Sequence, residues 1–236
     1  MAGELHVDFR MHAPVLSIAA GTAATGADTT VSNVAAGPHS LELYYAAANS
    51  DIGFTRNAAG WVLPNDNTDN EGGELGLGIL ASADMKGAFK IGTDPAFFAE
   101  LVCNIPDVSD YDLFAFGFRK AAAYAAVASL DTPAELITAY TDLACLNVNA
   151  GDIYTATRLN SGAGTATDST DNLTDGTEVT LKVLVSAAGV VTFQIDGAAP
   201  TVNTNTLTFD DTDIVVPFLR YTKGGSASDT PPIIKS

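Results

Sequence analysis

The stretch from Thr177 to Ile195 limits the fold more than any other part of the chain. Val179, Leu181, Val183 and Val185 alternate with Thr180, Lys182 and Leu184, so the first set shares one face of a strand. Val191, Phe193 and Ile195 alternate in the same way. Directly opposed residues of an antiparallel pair lie on the same face. That condition pairs Val185 with Val191, Val183 with Phe193 and Leu181 with Ile195. Ser186 then faces Val190 across a three-residue loop, Ala187-Ala188-Gly189. Such a loop needs a left-handed residue at its last position, and Gly189 provides it. Asp196-Gly197 predicts the next turn.

The same period of two runs through the rest of the chain. Leu75-Gly76-Leu77-Gly78-Ile79 sets apolar residues against glycines, and Gly87 to Ile91 reads as a short strand. Phe97, Ala99, Leu101, Cys103 and Ile105 share one face. Asp107 to Asp112 reads as a turn. Phe114, Phe116 and Phe118 form a stripe of rings of the kind that fills a core between sheets. Thr141–Val148 and Asp152–Leu159 return to strand around a turn at Asn149-Ala150-Gly151. Leu207–Phe209, Ile214–Tyr221 and Ile233-Ile234 close the series. Helix is expected at the Ala-rich Arg119 to Leu130, with a second short turn capped at Asp131-Thr132-Pro133 and running through Ala139. Residues 160 to 176 read as loop. Ten to fourteen short strands predict a mainly β, two-sheet antiparallel sandwich of jelly-roll type with one or two short helices.

Residues 1–70 are patchier, with β-like pieces at Val15–Ile18, Ser40–Tyr45 and Trp61–Leu63. They read as an N-terminal arm or as additional strands, ahead of a sandwich domain over 71–236. Tyr44, Tyr45 and Trp61 are the candidate partner-contact residues of that segment, since large apolar anchors carry interface energy. Their types suit a core equally well.

Charge narrows the partners. The chain has 28 acidic and 11 basic residues, a net charge of −17. An acidic surface repels phosphate backbones and anionic lipid, so neither nucleic acid nor membrane is expected as a partner. No apolar run approaches the ~20 residues of a membrane helix, and Glu4 and Asp8 precede the longest early run where a signal peptide would be basic. Synthesis in a cytoplasm is the expectation.

The stretch from Asp175 to Gly197, a strand, short glycine turn, strand and Asp-Gly, resembles the late hairpin of concanavalin A-like lectin/glucanase jelly rolls. Phe114-Ala-Phe-Gly-Phe-Arg119 is similar to the aromatic strand that precedes it in those domains. The resemblance covers roughly residues 73 to 234 and rests on structural motifs. Domains of this look also occur in virion proteins of tailed bacteriophages, as head decoration, fibre or receptor-binding modules, and the acidic Ala/Thr/Gly-rich composition is similar to theirs. The resemblance implies a virion structural protein, a capsid decoration or head-associated subunit, homo-oligomeric and bound to other virion proteins such as a major capsid protein. A lectin-like domain for host or cell-surface glycans is the alternative, with Tyr111, Tyr124, Tyr140 and Tyr154 as contributors.

Catalytic chemistry is not expected. Glycoside cleavage on this fold needs paired carboxylates, which a strand delivers as Glu-x-Asp-x-Glu, and the sequence has no such run. Glu100 and Glu178 read as lone surface acids, and glucanase activity is not carried over. His6, His12 and His39 lack the spacing of a triad or a metal site. Asp66, Asp69 and Glu71, and Asp210, Asp211 and Asp213, form acidic turns without a calcium-loop pattern. No cofactor and no metal ligand are expected. Cys103 reads as a buried free thiol, and a pairing with Cys145 stays open.

Overall fold

A computed structural model describes residues 31–36, 39–45, 55–57, 59–63, 72–77, 88–121, 130–225 and 230–235. Two antiparallel sheets face each other, as the alternation requires. The larger is built from β1 (Val31–Ala36), β2 (His39–Tyr45), β5 (Gly72–Leu77), β14 (Ile214–Lys223), β8 (Tyr111–Lys120), β9 (Leu143–Asn149), β10 (Asp152–Arg158) and β11 (Thr165–Asn172) in that order, with β6 (Phe89–Lys90) beside β14. The smaller runs β13 (Val191–Ile195), β12 (Glu178–Val185), β7 (Phe97–Asn104), β15 (Ile233–Ile234), β4 (Gly60–Val62) and β3 (Thr55–Asn57). Thus the described strands before residue 71 enter both sheets. Val15–Ile18 lies outside the described residues.

The β12–β13 hairpin has the predicted register: Leu181 faces Ile195, Val183 faces Phe193 and Val185 faces Val191. Gly189 closes its loop at φ 83°, and its N–H reaches the Ser186 carbonyl at 2.8 Å. The main core fills the space between the sheets. Phe114, Phe116 and Phe118 of β8 meet Leu181, Val183 and Phe193 from the facing sheet. Phe97 and Phe118 pack edge to face with centroids 5.1 Å apart.

A second, smaller core covers the other side of the larger sheet. Leu113, Ala115, Leu143, Cys145, Ala156 and Phe218 form its floor, and Leu130, Leu136, Ile137 and Tyr140 form its roof. The roof is placed by α1 (Pro133–Ala139). Thr132 caps it as expected: Glu135 N–H donates to Thr132 Oγ1 at 3.2 Å, and Thr132 N–H donates to Glu135 Oε2 at 3.0 Å. Proline at the first helical position adds a preset φ without losing a bond.

Three expectations need correction. Arg119 and Lys120 are the end of β8, not the start of a helix, because Arg119 is drawn into a buried ion pair described below; residues 122–129 of that expectation lie outside the described residues. Residues 160–176 are not all loop, since Thr165–Asn172 is the edge strand β11. It pairs with β10 on one side only, so few of its positions needed to be apolar. Leu207–Phe209 is not a strand but makes a single bridge, Thr208 to Val190. The segment it belongs to, 198–213, lies along the edges of both sheets. Val202 N–H donates to Ser169 O at 2.9 Å beside β11, and Val191 N–H donates to Leu207 O at 3.0 Å beside β13. Asn205 locks it down, donating to Thr155 O at 2.7 Å and accepting from Thr167 Oγ1 at 2.9 Å. Covered edges cannot recruit stray strands.

Candidate functional site

Among the described residues, two places concentrate polar chemistry. The first lies under α1, on the outer side of the larger sheet. Cross-strand pairing brings Glu74 of β5 opposite Arg220 of β14, and Arg119 projects from β8 on the same side. Arg119 Nε donates to Glu74 Oε1 at 2.6 Å. The Tyr140 hydroxyl, delivered by the end of α1, donates to Glu74 Oε2. Arg220 Nη1 donates to the Tyr140 oxygen at 3.3 Å and stands 3.7 Å from Glu74 Oε2. Burial and then the Glu74 carboxylate push the Tyr140 phenol up, against the opposing pull of Arg220 and Arg119. The phenol is spent as a donor to Glu74.

An acid, two guanidiniums and a phenol are the parts of an acid–base site, but this one is shut. Glu74 and Arg220 are 0% exposed, Arg119 4% and Tyr140 6%. A reacting group must come within about 3 Å of a substrate atom, and the described structure gives a substrate no approach. Charge pairing under a roof of apolar side chains fixes how α1 and the sheet meet. A second sealed pair, Lys223 and Asp110 at 3.3 Å, holds the other end of β14 and β8.

The second place is a cleft of about 410 Å³ at the end of the sandwich, where the β10–β11 ladder stands over β12 and β13. Thr170, Asp171, Asn172, Glu178, Asp196 and Thr201 line it, with Ile153 and Ile195 at its base. Its carboxylates are already engaged. Asp171 accepts from Thr201 N–H at 2.8 Å and from the Thr201 hydroxyl at 2.6 Å, which hold its carboxyl below the usual range. Asp196 Oδ1 accepts from Thr180 N–H at 2.8 Å, and Glu178 pairs with Lys235 at 2.5 Å. Thr170 holds φ 62° beside them, a conformation that costs a β-branched residue about 1–3 kcal/mol.

The structure scatters the residues singled out from sequence. Trp61 lies in the main core, the place its type also allowed. Tyr44 and Tyr45 are on β2, where Tyr44 pairs with Glu74 and Tyr45 with Gly73 in register. Tyr111 is in the main core and Tyr140 in the smaller one, so they form no common platform; Tyr154 is half-buried on β10, and Tyr124 lies outside the described residues. Asp213 pairs with Lys120 at 2.5 Å while Asp210 accepts from Asn160 at 2.7 Å, so these two acids of that turn part company. Asp66, Asp69, Glu71, His6 and His12 lie outside the described residues, and His39 opens β2. Cys103 and Cys145 are free, one in each core. Burial first, then Glu178 and Asp196, push the Cys103 thiol up to about 12. The Glu74 cluster was missed from sequence, although a lone arginine inside the apolar run Val215 to Tyr221 was a signal that something must neutralise it.

No protein-family model matches the sequence, and no curated protein is similar to it. Solved structures of similar course exist. The potassium-bound carbohydrate recognition domain of Emp46p shares 11% identity over 71% of this chain and 77% of its own, at a TM-score of 0.46. An alginate lyase from Pseudomonas aeruginosa shares 12% over 78% of this chain and 83% of its own, at 0.47. A glycoside hydrolase family 16 endo-glucanase from Bacteroides ovatus shares 12% over 86% and 81%, at 0.40. At these identities the likeness concerns the course of the sandwich, and nothing about this chain's chemistry follows from it.

Proposed function

We propose that this chain is a non-enzymatic structural subunit of a virion, a capsid-decorating or head-associated protein that works by binding and stabilising its neighbours. One observation carries the reading: the densest acid–base cluster among the described residues, Glu74 with Arg119, Arg220 and Tyr140, is closed to solvent and acts as an internal clamp. With these four groups spent on rigidity, the reading turns to the molecule's surface. That surface carries the acid excess of a chain at −17, suited to a partner with basic patches and unsuited to nucleic acid. Cosedimentation with empty phage capsid shells tests the proposal. Saturable binding that raises the shells' melting temperature supports it, and a chain that stays in the supernatant at every concentration overturns it.

The cleft favours a second reading, binding of a glycan. Its volume is in the range of small-ligand sites, and its lining offers hydroxyl and amide groups next to a strained Thr170. A glycan array with a binder whose signal is lost in Asn172→Ala supports that reading, and an empty array removes it.

A further inference from the structure

We propose that the cleft under the β10–β11 ladder selects its glycan by charge, taking neutral and amino sugars and refusing uronic, sialylated and sulfated ones. The inference rests on the glycan reading of that cleft and names the class of sugar it admits. Three side chains of the lining are open to a ligand. Thr170, Asn172 and Thr177 are exposed, and their side chains make no hydrogen bond among the described residues. Ile153, Leu173, Val179 and Ile195 supply an aliphatic floor, and no residue of the described lining is aromatic. A sugar is therefore held here by hydroxyl and amide hydrogen bonds and not by stacking on a ring. Such groups are neutral, so selection by charge falls to the acids around them.

Each of β10, β11, β12 and β13 brings a carboxylate to the cleft or to its rim. Asp152 of β10 lies opposite Asn172 in register. β11 carries Asp171 in the lining, and Asp168 beside it accepts from Thr170 N–H at 2.8 Å. Asp175 stands between the lining residues Leu173 and Thr177 and accepts from Val108 N–H at 2.9 Å. Glu178 opens β12, and Asp196 follows β13. Of the described bases, Lys235 reaches the cleft, through Glu178 at 2.5 Å, while Lys182 of β12 is held by Glu100 at 3.0 Å. Six acids thus stand against one base that Glu178 already neutralises. The Tyr154 phenol next to them is pushed up by burial first and then by Asp168 and Asp152. A concave site lined by one sign of charge gathers the opposite sign and turns away its own. A uronate or sulfate bonded to Thr170, Asn172 or Thr177 would sit among these acids with no free cation beside it among the described residues.

An array of neutral, amino, uronic, sialylated and sulfated oligosaccharides, read at about 20 mM and about 500 mM salt, tests the selection. The glycans bound should come from the neutral and amino classes. At low salt the acidic form of any bound core should be weaker by at least ~10-fold. At high salt it should gain on the neutral form, because screening cuts the reach of the field to a few ångströms. Glu178→Gln with Asp196→Asn removes two acids and releases Lys235, and it should close most of the gap at low salt. An acidic form bound as tightly as its neutral core at low salt overturns the selection and leaves the glycan reading standing. A gap that salt does not narrow, or that a folded double variant keeps in full, overturns it in the same way. An empty array removes the glycan reading and the selection with it. The salt series uses the wild type alone, so it decides the matter even where the double variant fails to fold.

Discussion

Glu74 Oε1 accepts from Arg119 Nε at 2.6 Å across the width of β14, joining strands that are not neighbours in the sheet. The contact is sealed, and its value lies in what its loss leaves behind. Glu74→Ala strands two buried guanidiniums and should cost ~3–5 kcal/mol in urea unfolding. Tyr140→Phe removes one hydroxyl from the same carboxylate and should cost about 1–2 kcal/mol. A Glu74→Ala loss no larger than that of Tyr140→Phe would contradict the clamp.

Acid should loosen two specific anchors. The Asp131 N–H, then the Thr132 hydroxyl, hold the Glu135 carboxyl below its usual range, and Thr201 does the same for Asp171. Both groups bind protons less readily in the fold than in the unfolded chain. Their contribution is complete above the unfolded carboxylate range, about pH 5, and drains away as pH falls through the lowered folded values. Melting curves from pH 7 to pH 3 should fall less steeply for Asp171→Asn than for wild type. Parallel curves would show that Asp171 is not one of the groups responsible.

Two glycines separate backbone handedness from space. Gly189 has φ 83°, and a β-carbon there would come 2.5 Å from the Phe209 carbonyl; Gly197 has φ 80° with nothing within 4 Å. Gly197→Ala should therefore cost only the left-handed penalty, about 1 kcal/mol. Gly189→Ala should cost clearly more, because segment 198–213 must also move. Equal losses in chemical denaturation would mean that Phe209 gives way freely.

Cys103 and Cys145 should ignore thiol reagents in the native state. Burial pushes both thiols up, Cys103 to about 12, and neither has a partner sulfur. An Ellman titration should count no reactive thiol in buffer and two in denaturant. Rapid labelling of the folded chain would contradict the packing of one core or the other.

How much of this was readable beforehand differs from element to element. The β12–β13 register was legible because two independent cues, shared face and loop length, demanded the same pairing. The Thr132 cap was legible because capping is local in sequence. β11 was not, because an edge strand with Ser169 as its fully buried residue carries almost no apolar signal. The Glu74 cluster was hidden for the opposite reason. Its hydrogen-bonded pairs lie 45, 66 and 80 residues apart, and the strand order of the larger sheet together with α1 brings them together. The cleft has the same character, since Asp171 and Thr201 meet across 30 residues of intervening chain.

The proposal that this molecule acts by docking and not by turnover is tested most directly by quantitative mass spectrometry of gradient-purified virions from the organism that carries this sequence. The chain should band with the particles in a fixed ratio to their main shell protein. Its recovery only in the soluble lysate, from virion bands that lack it, would contradict the claim.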